Sequence, residues 1–396
     1  MPAVCLPEYN PSGEGGVFGR AIKLFQIFGF TVRIDPSWFI VAVLVTWSFA
    51  TVAFPTQLPG HPPATYWLMG TAGALLYFLS VVLHELSHSL VARTYGVEMR
   101  GITLFIFGGV AEMPGEIPTP QSEFVIAAAG PAASFVIALV SGGVGFIGRL
   151  NGWPAPVVTV FLYLAFLNAA LAVFNLIPAF PLDGGRILRS ILWGWKKNLR
   201  WATRISAGIG GGFGLLLVAL GVLTVAFVPG GFTSGLWMFL LGLFVRNAAA
   251  MSYQQLLLRR ALAGEPVSRF MHADPVTVPR AISVLDLVQD YIYRHHFKMF
   301  PVVDDSGRLL GCVTTRQVRQ LPREEWDRQT VGALAERCGP ENTVRADTDA
   351  MEALSRMSRS GASRLMVVEG DHLLGILSLK DLLRFFSLKM ELEEVR

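Results

Sequence analysis

The sequence predicts an α-helical polytopic membrane domain of about six transmembrane helices with a small β-hairpin or sheet element, followed by a cytosolic α+β module of two repeats. Three observations predict it. Of 396 residues, 52% are hydrophobic and only 16% charged, more apolar than a soluble globular chain of this length normally is. The apolar residues gather into six segments, about 37 to 54, 66 to 92, 124 to 148, 157 to 177, 205 to 228 and 236 to 251, most of them near or above the roughly 20 residues a spanning helix needs. After about residue 265 charges become frequent, no stretch can span a bilayer, and a pattern repeats.

Residues 1–36 read as a cytosolic N-terminal segment. Residues 1–19 are polar and glycine-rich with no basic-then-apolar pattern, so the first span is expected to act as its own insertion signal. Orientation follows from the connections. Arg20, Lys23 and Arg33 precede the first span, whereas PTQLPGHPPA after it has no Lys or Arg. Arg93 and Arg100 lie between spans two and three, and Arg186, Arg189, Lys196, Lys197, Arg200 and Arg204 between four and five, while VPGGFTSG has none. Only Arg149 dissents. An excess of Lys and Arg marks cytosolic loops, which places both termini in the cytosol. The net charge of +4 is small and dispersed and gives no case for nucleic acid. Cys5, Cys312 and Cys338 follow no C-x-x-C pattern and read as reduced thiols.

The second apolar segment ends in chemistry. The uncharged run Tyr66 to Leu83 is followed at once by His84-Glu85-Leu86-Ser87-His88. Histidines four apart share one helix face, the spacing needed to grip one metal ion, and Glu85 between them can be a general base rather than a ligand. Ionisable groups inside a membrane cost roughly 2.5–3.5 kcal/mol on insertion scales, so those present usually mark function. His84 lies 18 residues beyond Tyr66. That is roughly 27 Å along a helix, so the motif is expected toward the cytosolic side of the hydrocarbon core.

Two histidines leave a catalytic zinc one protein ligand short. The candidate is Asp183, in Asn175-Leu-Ile-Pro178-Ala-Phe-Pro181-Leu-Asp183-Gly184-Gly185-Arg186 at the cytosolic end of the fourth span. The prolines break the helix and the glycines permit a tight turn, so irregular backbone can face a cavity at the depth of HELSH. The other use of Asp183 is to cap a helix beginning near Arg186.

HELSH together with NLIPAFPLDGGR resembles the site-2 protease family of intramembrane zinc metalloproteases, and Phe107 to Gly109 and the GPAAS run from Gly130 to Ser134 also fit. The resemblance covers residues from about 20 to 255, within an expected protease domain of 37–255. It implies His84, His88 and Asp183 as ligands of one Zn2+ per chain and Glu85 as catalytic base. It also places Asn175 near the active site, where it helps position substrate or oxyanion or else makes an interhelical hydrogen bond. Asn168 reads as structural. The segment Gly96 to Met113 reads as a hairpin turning at Gly108-Gly109, either a packing element or an edge to which an unwound substrate strand can add. Glu112 and Glu116 are expected at its solvated surface.

After an expected linker at 256–265, VVDDSGRLLGCVTTRQV from Val302 matches VVEGDHLLGILSLKDL from Val367. Short strands are expected at Val276 to Val278 and Thr343-Val344, and amphipathic helices near Val284 to Arg294 and Ala350 to Ser360. These repeats resemble paired CBS domains, 266–321 and 331–387. That family often holds an adenine nucleotide with a Gly-x-x-Ser/Thr-x-x-Asp stretch, here matched by Ser378 and Asp381 and, in the first repeat, by Thr314, where Gln317 replaces the Asp. The other role for such a module is homodimerisation or membrane docking without a small ligand. His272, His295 and His296 read as surface or packing residues.

The function implied is a multi-pass endopeptidase of a prokaryotic cytoplasmic membrane. It would cut transmembrane segments of membrane-bound regulatory proteins, in contact with the lipid bilayer. A CBS-regulated transporter or channel would explain polar residues in spans but not the metal motif at matched depth. An inactive membrane scaffold is disfavoured by the intact Glu85 and ligand set.

Overall fold

In lipid every backbone amide must find its partner inside its own segment, so a long apolar run has to be a helix. A computed structural model of the chain, describing residues 15–16, 19–20, 22–27, 29–97, 101–105, 108–111, 117–304 and 306–393, has six helices among them long and apolar enough to cross a membrane. Cys5, Arg100, Phe107, Glu112 and Glu116 lie outside the described residues. The contacts divide the chain into two units that meet in sequence at Leu256 and Leu257.

The first unit opens with β1 (Gly15–Gly16) and β2 (Gly19–Arg20), which pair with each other, then β3 (Ile22–Ile27) and β4 (Phe30–Ile34). The first span is α1 (Ser37–Ser48), a π-helical turn Phe49–Ala53 and α2 (Phe54–Gln57). The second is α3 (Pro63–Thr94), followed by β5 (Gly101–Phe105) and β6 (Gly108–Ala111). Then come α4 (Pro120–Leu150), α5 (Ala155–Asn175), the shorter α6 (Asp183–Lys196), α7 (Leu199–Phe227) and α8 (Phe232–Leu262). Every helix but α6 in this last set is a candidate span. Most of the helices start before the apolar segments read from sequence because their first turns are built by caps rather than by hydropathy. Pro63 and Pro120 stand at first-turn positions, where their missing amide is no loss, and the Thr119 hydroxyl accepts from the Ser122 amide in a capping box.

Strand order is β3-β4-β5-β6, with β4 and β5 parallel and the outer pairs antiparallel. Two expectations change here. Residues 22–34 are not a separate N-terminal segment but supply two strands of this sheet, because β4, paired on both sides, buries Phe30, Val32 and Ile34. Gly108 and Gly109 are not the turn of the hairpin; they pair with Phe105 and Leu104 inside the ladder. Glycine reads as punctuation in a lone sequence, yet it sits in a strand wherever the partner's backbone sets the register. Phe30 and Ile34 of β4 pack against Val82 and Leu86 of α3, the residues two before and two after His84. The sheet therefore rests on the HELSH turn. α4 is the hub of the unit, in contact with α3, α5 and α6.

The second unit contains β7 (His272–Ala273), β8 (Val278–Pro279), α9 (Val284–Asp286), a π-helical turn Leu287–Ile292, α10 (Tyr293–His295), β9 (Met299–Val303), β10 (Leu309–Thr314), α11 (Thr315–Gln320) and α12 (Val331–Leu334). It continues with β11 (Glu336–Arg337), β12 (Thr343–Arg345), α13 (Ala350–Ser360), β13 (Arg364–Glu369), β14 (His372–Ser378) and α14 (Leu379–Glu393). The repeats exchange strands. β7 joins the sheet of the second repeat, ordered β12-β13-β14-β7, and β11 joins that of the first, ordered β11-β10-β9-β8. Each sheet is thereby completed by a strand from outside its own repeat.

Boundaries move accordingly. Val331, placed by sequence at the start of the second repeat, is buried in the core of the first with Val284, Leu287 and Phe300. The stretch 256–265, read as a linker, is helical to Leu262, and Leu262 is buried in the core of the second repeat with Leu365, Val367 and Leu377. Both differences arise because burial depends on contacts distant in sequence. Burial, together with Glu336 and Cys338, pushes the Cys312 thiol up to about 11, so it stays protonated near neutral pH.

Candidate metal centre

A helix that carries histidines four positions apart presents both on one face, and α3 turns that face inward. The His84 and His88 side chains are buried and their Nε2 atoms are 3.3 Å apart. Asp183, 95 and 99 residues further along the chain, places Oδ2 3.2 Å from each Nε2. Among the described residues these three form the only group of His, Cys, Asp or Glu side chains able to converge on one ion.

The backbone that delivers Asp183 is built for the purpose. Helix α5 ends at Asn175, Pro178 and Pro181 keep 176–182 out of helix, and α6 begins at Asp183 itself rather than near Arg186. Gly184 and Gly185 form its first turn with Asp183. A methyl carbon at Gly184 would overlap the Leu176 and Ile177 carbonyls, and one at Gly185 would stand 2.5 Å from the Phe180 amide nitrogen. Only glycine lets the connecting loop fold this closely over the start of the helix. The capping use of Asp183 is not the one adopted: Leu182 holds the N-cap position without a side-chain cap, and the Asp183 carboxylate faces the histidines.

Three contacts from α4 complete the surroundings. His88 Nδ1 lies 2.6 Å from the Ile126 carbonyl oxygen, and His84 Nδ1 lies 2.8 Å from Ser134 Oγ. A carbonyl oxygen only accepts, so His88 carries a proton on Nδ1, the tautomer whose neutral ring leaves the Nε2 lone pair free for a metal. Pro131 removes the amide that would bond the Ala127 carbonyl, loosening the helix beside the Ile126 acceptor. The third contact is an absence of side chain: a methyl carbon at Gly130 would overlap His88 Nε2 and lie 2.5 Å from His84 Nε2.

This donor set fits zinc. Two imidazole nitrogens and a carboxylate oxygen are catalytic-zinc ligands, and a tetrahedron with bonds of about 2.0–2.1 Å has edges of about 3.3–3.4 Å. The observed separations are 3.2, 3.2 and 3.3 Å. Acceptor atoms held that close repel one another unless a cation lies among them. Glu85, one residue after His84, is half-buried, and its carboxylate accepts no hydrogen bond from another described residue.

Asn175 is half-buried at the end of α5, and no interhelical hydrogen bond to it is present among the described residues. Asn168 is fully buried and its amide donates to the Leu164 carbonyl within its own helix, as a structural residue does, with no partner for Oδ1 among the described residues. In the second unit, Ser378 Oγ donates to Asp381 Oδ2, and Asp381 Oδ1 lies 3.1 Å from His272 Nε2. In the first repeat Thr314 and Gln317 form a capping box at the start of α11, with Thr314 Oγ1 2.8 Å from Gln317 Oε1. Gln317 thus keeps the helix-starting role of the Asp it replaces. His272, read as a surface residue, is exposed but paired with Asp381. The α4 contacts were not visible to sequence reasoning, although Glu123 and the GPAAS run were signals.

Comparison with known proteins bears on both units. The chain matches Peptidase family M50 over residues 72–150 and 150–220, and the CBS domain over 267–324 and 339–388. It is 36% identical over 373 residues to "Putative zinc metalloprotease Rip3" of Mycobacterium tuberculosis, covering 93% of each chain. It is 33% identical over 380 residues to zinc metalloprotease MJ0392 of Methanocaldococcus jannaschii, covering 94% of this chain and 98% of the other. Among solved structures, the site-2 protease from Methanocaldococcus jannaschii is 34% identical, matching 58% of this chain and 94% of that one with a TM-score of 0.40.

Proposed function

Because this chain belongs to peptidase family M50, the site-2 zinc metalloproteases, and carries CBS domains, we propose that His84, His88 and Asp183 hold its zinc and that Glu85 is its catalytic base. The observation that carries the assignment is the triangle of donor atoms with edges of 3.2, 3.2 and 3.3 Å. Zinc, when bound, supplies a Lewis acid that makes water nucleophilic near neutral pH. The chain's own residues do the rest. The Ile126 carbonyl and Ser134 hold the imidazoles with Nε2 toward the metal, and the Glu85 carboxylate takes the proton from the attacking water and returns it to the leaving amine nitrogen. Asn175, at the end of α5, is proposed to orient substrate or oxyanion.

The substrate is a transmembrane segment of another membrane protein, and within that class the proposal is membrane-bound regulators, cut in the cytoplasmic membrane with both termini of the protease in the cytosol. A helix hides its carbonyls in its own hydrogen bonds, so it must be extended before cleavage. β6 is the edge strand of its sheet and touches α3, which supports β-augmentation of an unwound substrate there.

Metal analysis of purified protein tests the ligand set. Wild type is expected to hold one zinc per chain and Asp183→Ala to fall to a small fraction of that; full retention in the variant would remove Asp183 from the set. For the CBS module the proposal is regulation through an adenine nucleotide held by Ser378 and Asp381, with Thr314 as the matching position in the first repeat, or through homodimerisation. Asp381 spends both oxygens on Ser378 and His272. A ribose hydroxyl would donate to the lone pairs these oxygens keep free, alongside Ser378 and His272. Calorimetry of the full chain with AMP, ADP and ATP is expected to give a binding heat that Asp381→Ala removes, and silence at millimolar nucleotide would sink the nucleotide reading.

A further inference from the structure

We propose that one face of α4 is the template that sets the metal-facing side chains, with Ser134, Glu123 and Arg189 as positioning residues. The proposal rests on the zinc reading above and extends it to groups that touch no metal. Glu123, Ile126, Gly130 and Ser134 are spaced three, four and four apart, so they form one stripe along the helix. Glu123, Ile126 and Ser134 are each 0% exposed. Reading along the stripe, Ser134 holds His84, Gly130 leaves room beside both Nε2 atoms, the Ile126 carbonyl holds His88, and Glu123 reaches the third ligand indirectly.

That indirect link runs through α6. Arg189 directs Nε at 2.7 Å, and Nη2, to Glu123 Oε1, while its guanidinium lies 5.0 Å from the centre of the Phe180 ring. Phe180 belongs to the loop that delivers Asp183 and is itself buried. The loop is therefore clamped twice: Gly185 lets α6 close on its backbone, and Arg189, anchored to α4, covers its aromatic side chain. Glu123 Oε2 has no hydrogen-bond partner among the described residues. A buried ion pair left half-satisfied adds little stability, so its retention needs another reason, and placing a ligand to within about 0.5 Å is one. Ser134 acts in the same sense on His84. A hydroxyl can accept the Nδ1 proton, which leaves Nε2 free for metal, and outer partners of this kind are worth about 10–100-fold in metal affinity.

The test uses the full-length protein in detergent, with zinc affinity read by competition against a chromogenic chelator and site geometry by the visible spectrum of the Co2+-substituted form. Ser134→Ala is expected to lose about 10–100-fold in zinc affinity and shift the Co2+ bands, and Ser134→Thr, which keeps the hydroxyl, to restore both. The paired change Glu123→Met with Arg189→Met is expected to leave the metal-free protein folded with near wild-type melting, while weakening zinc and altering the Co2+ spectrum. Should that pair fail to fold, Arg189→Lys decides, since it keeps the charge but loses the two-nitrogen grip and the stacking. Wild-type affinity and spectrum in Ser134→Ala and in the folded Arg189 variant would overturn the proposal. A wild-type protein that binds no zinc, or a His84→Ala variant that binds it normally, would instead overturn the ligand reading beneath it.

Discussion

Glu85→Gln is expected to retain one zinc per chain and to cut a reconstituted transmembrane peptide about 10²–10⁴-fold more slowly. Glu85 contributes no atom to the triangle formed by His84, His88 and Asp183, so the ligand set survives its neutralisation. The residue is half-buried and its carboxylate accepts no hydrogen bond from another described residue, so the amide that replaces it breaks no hydrogen bond among them. What is lost is a group able to accept a proton and then give it back. The loss should fall on kcat rather than KM, because the proton moves in the transition state and not on binding. Zinc content by mass spectrometry and cleavage time courses on one preparation check both halves. An unchanged rate would remove Glu85 from catalysis, and loss of zinc would make it part of the site's scaffold instead.

Gly130→Ala should empty the site without unfolding the protein. Alanine is the better helix former by about 0.8–1.0 kcal/mol, so α4 itself gains from the change. Yet the new methyl would overlap His88 Nε2 and stand 2.5 Å from His84 Nε2, in the space the metal needs. Zinc is expected to fall to background and cleavage with it, while circular dichroism retains the wild-type helical content. A Gly130→Ala protein with stoichiometric zinc would show that α4 stands farther from the histidines than this structure places it. The two variants separate the chemistry of the site from its construction: one keeps metal and loses the proton carrier, the other keeps the proton carrier and loses the metal.

Much of the site was legible because its chemistry is written locally. His84, Glu85 and His88 are neighbours on one helical turn, and the prolines and glycines around Asp183 mark a break in helix without reference to anything else in the chain. The supporting residues were harder to see. Glu123 fell just outside an apolar segment drawn from about 124, although α4 begins at Pro120 because Thr119 caps it. Ser134 was noticed as part of GPAAS, but its partner is His84, 50 residues earlier, and the Ile126 contribution is a backbone carbonyl that no side-chain pattern reveals. Arg189 was counted as a topology marker, and its bond to a buried Glu123 depends on α4 and α6 being adjacent.

The sequence by itself determined six candidate spanning helices, two CBS repeats and the residue types of the candidate metal site, since hydropathy, helical spacing and helix breaking are properties of contiguous residues. Tertiary structure alone decided that residues 22–34 complete the sheet on the HELSH turn, that each repeat borrows a strand from the other, that Leu262 belongs to a core, and that one face of α4 touches both histidines and the clamp on the Asp183 loop. The physical reason is the same in each case. A strand edge, a buried side chain and an imidazole tautomer are satisfied by whatever lies across the gap, and what lies there is fixed by packing between segments far apart in the chain.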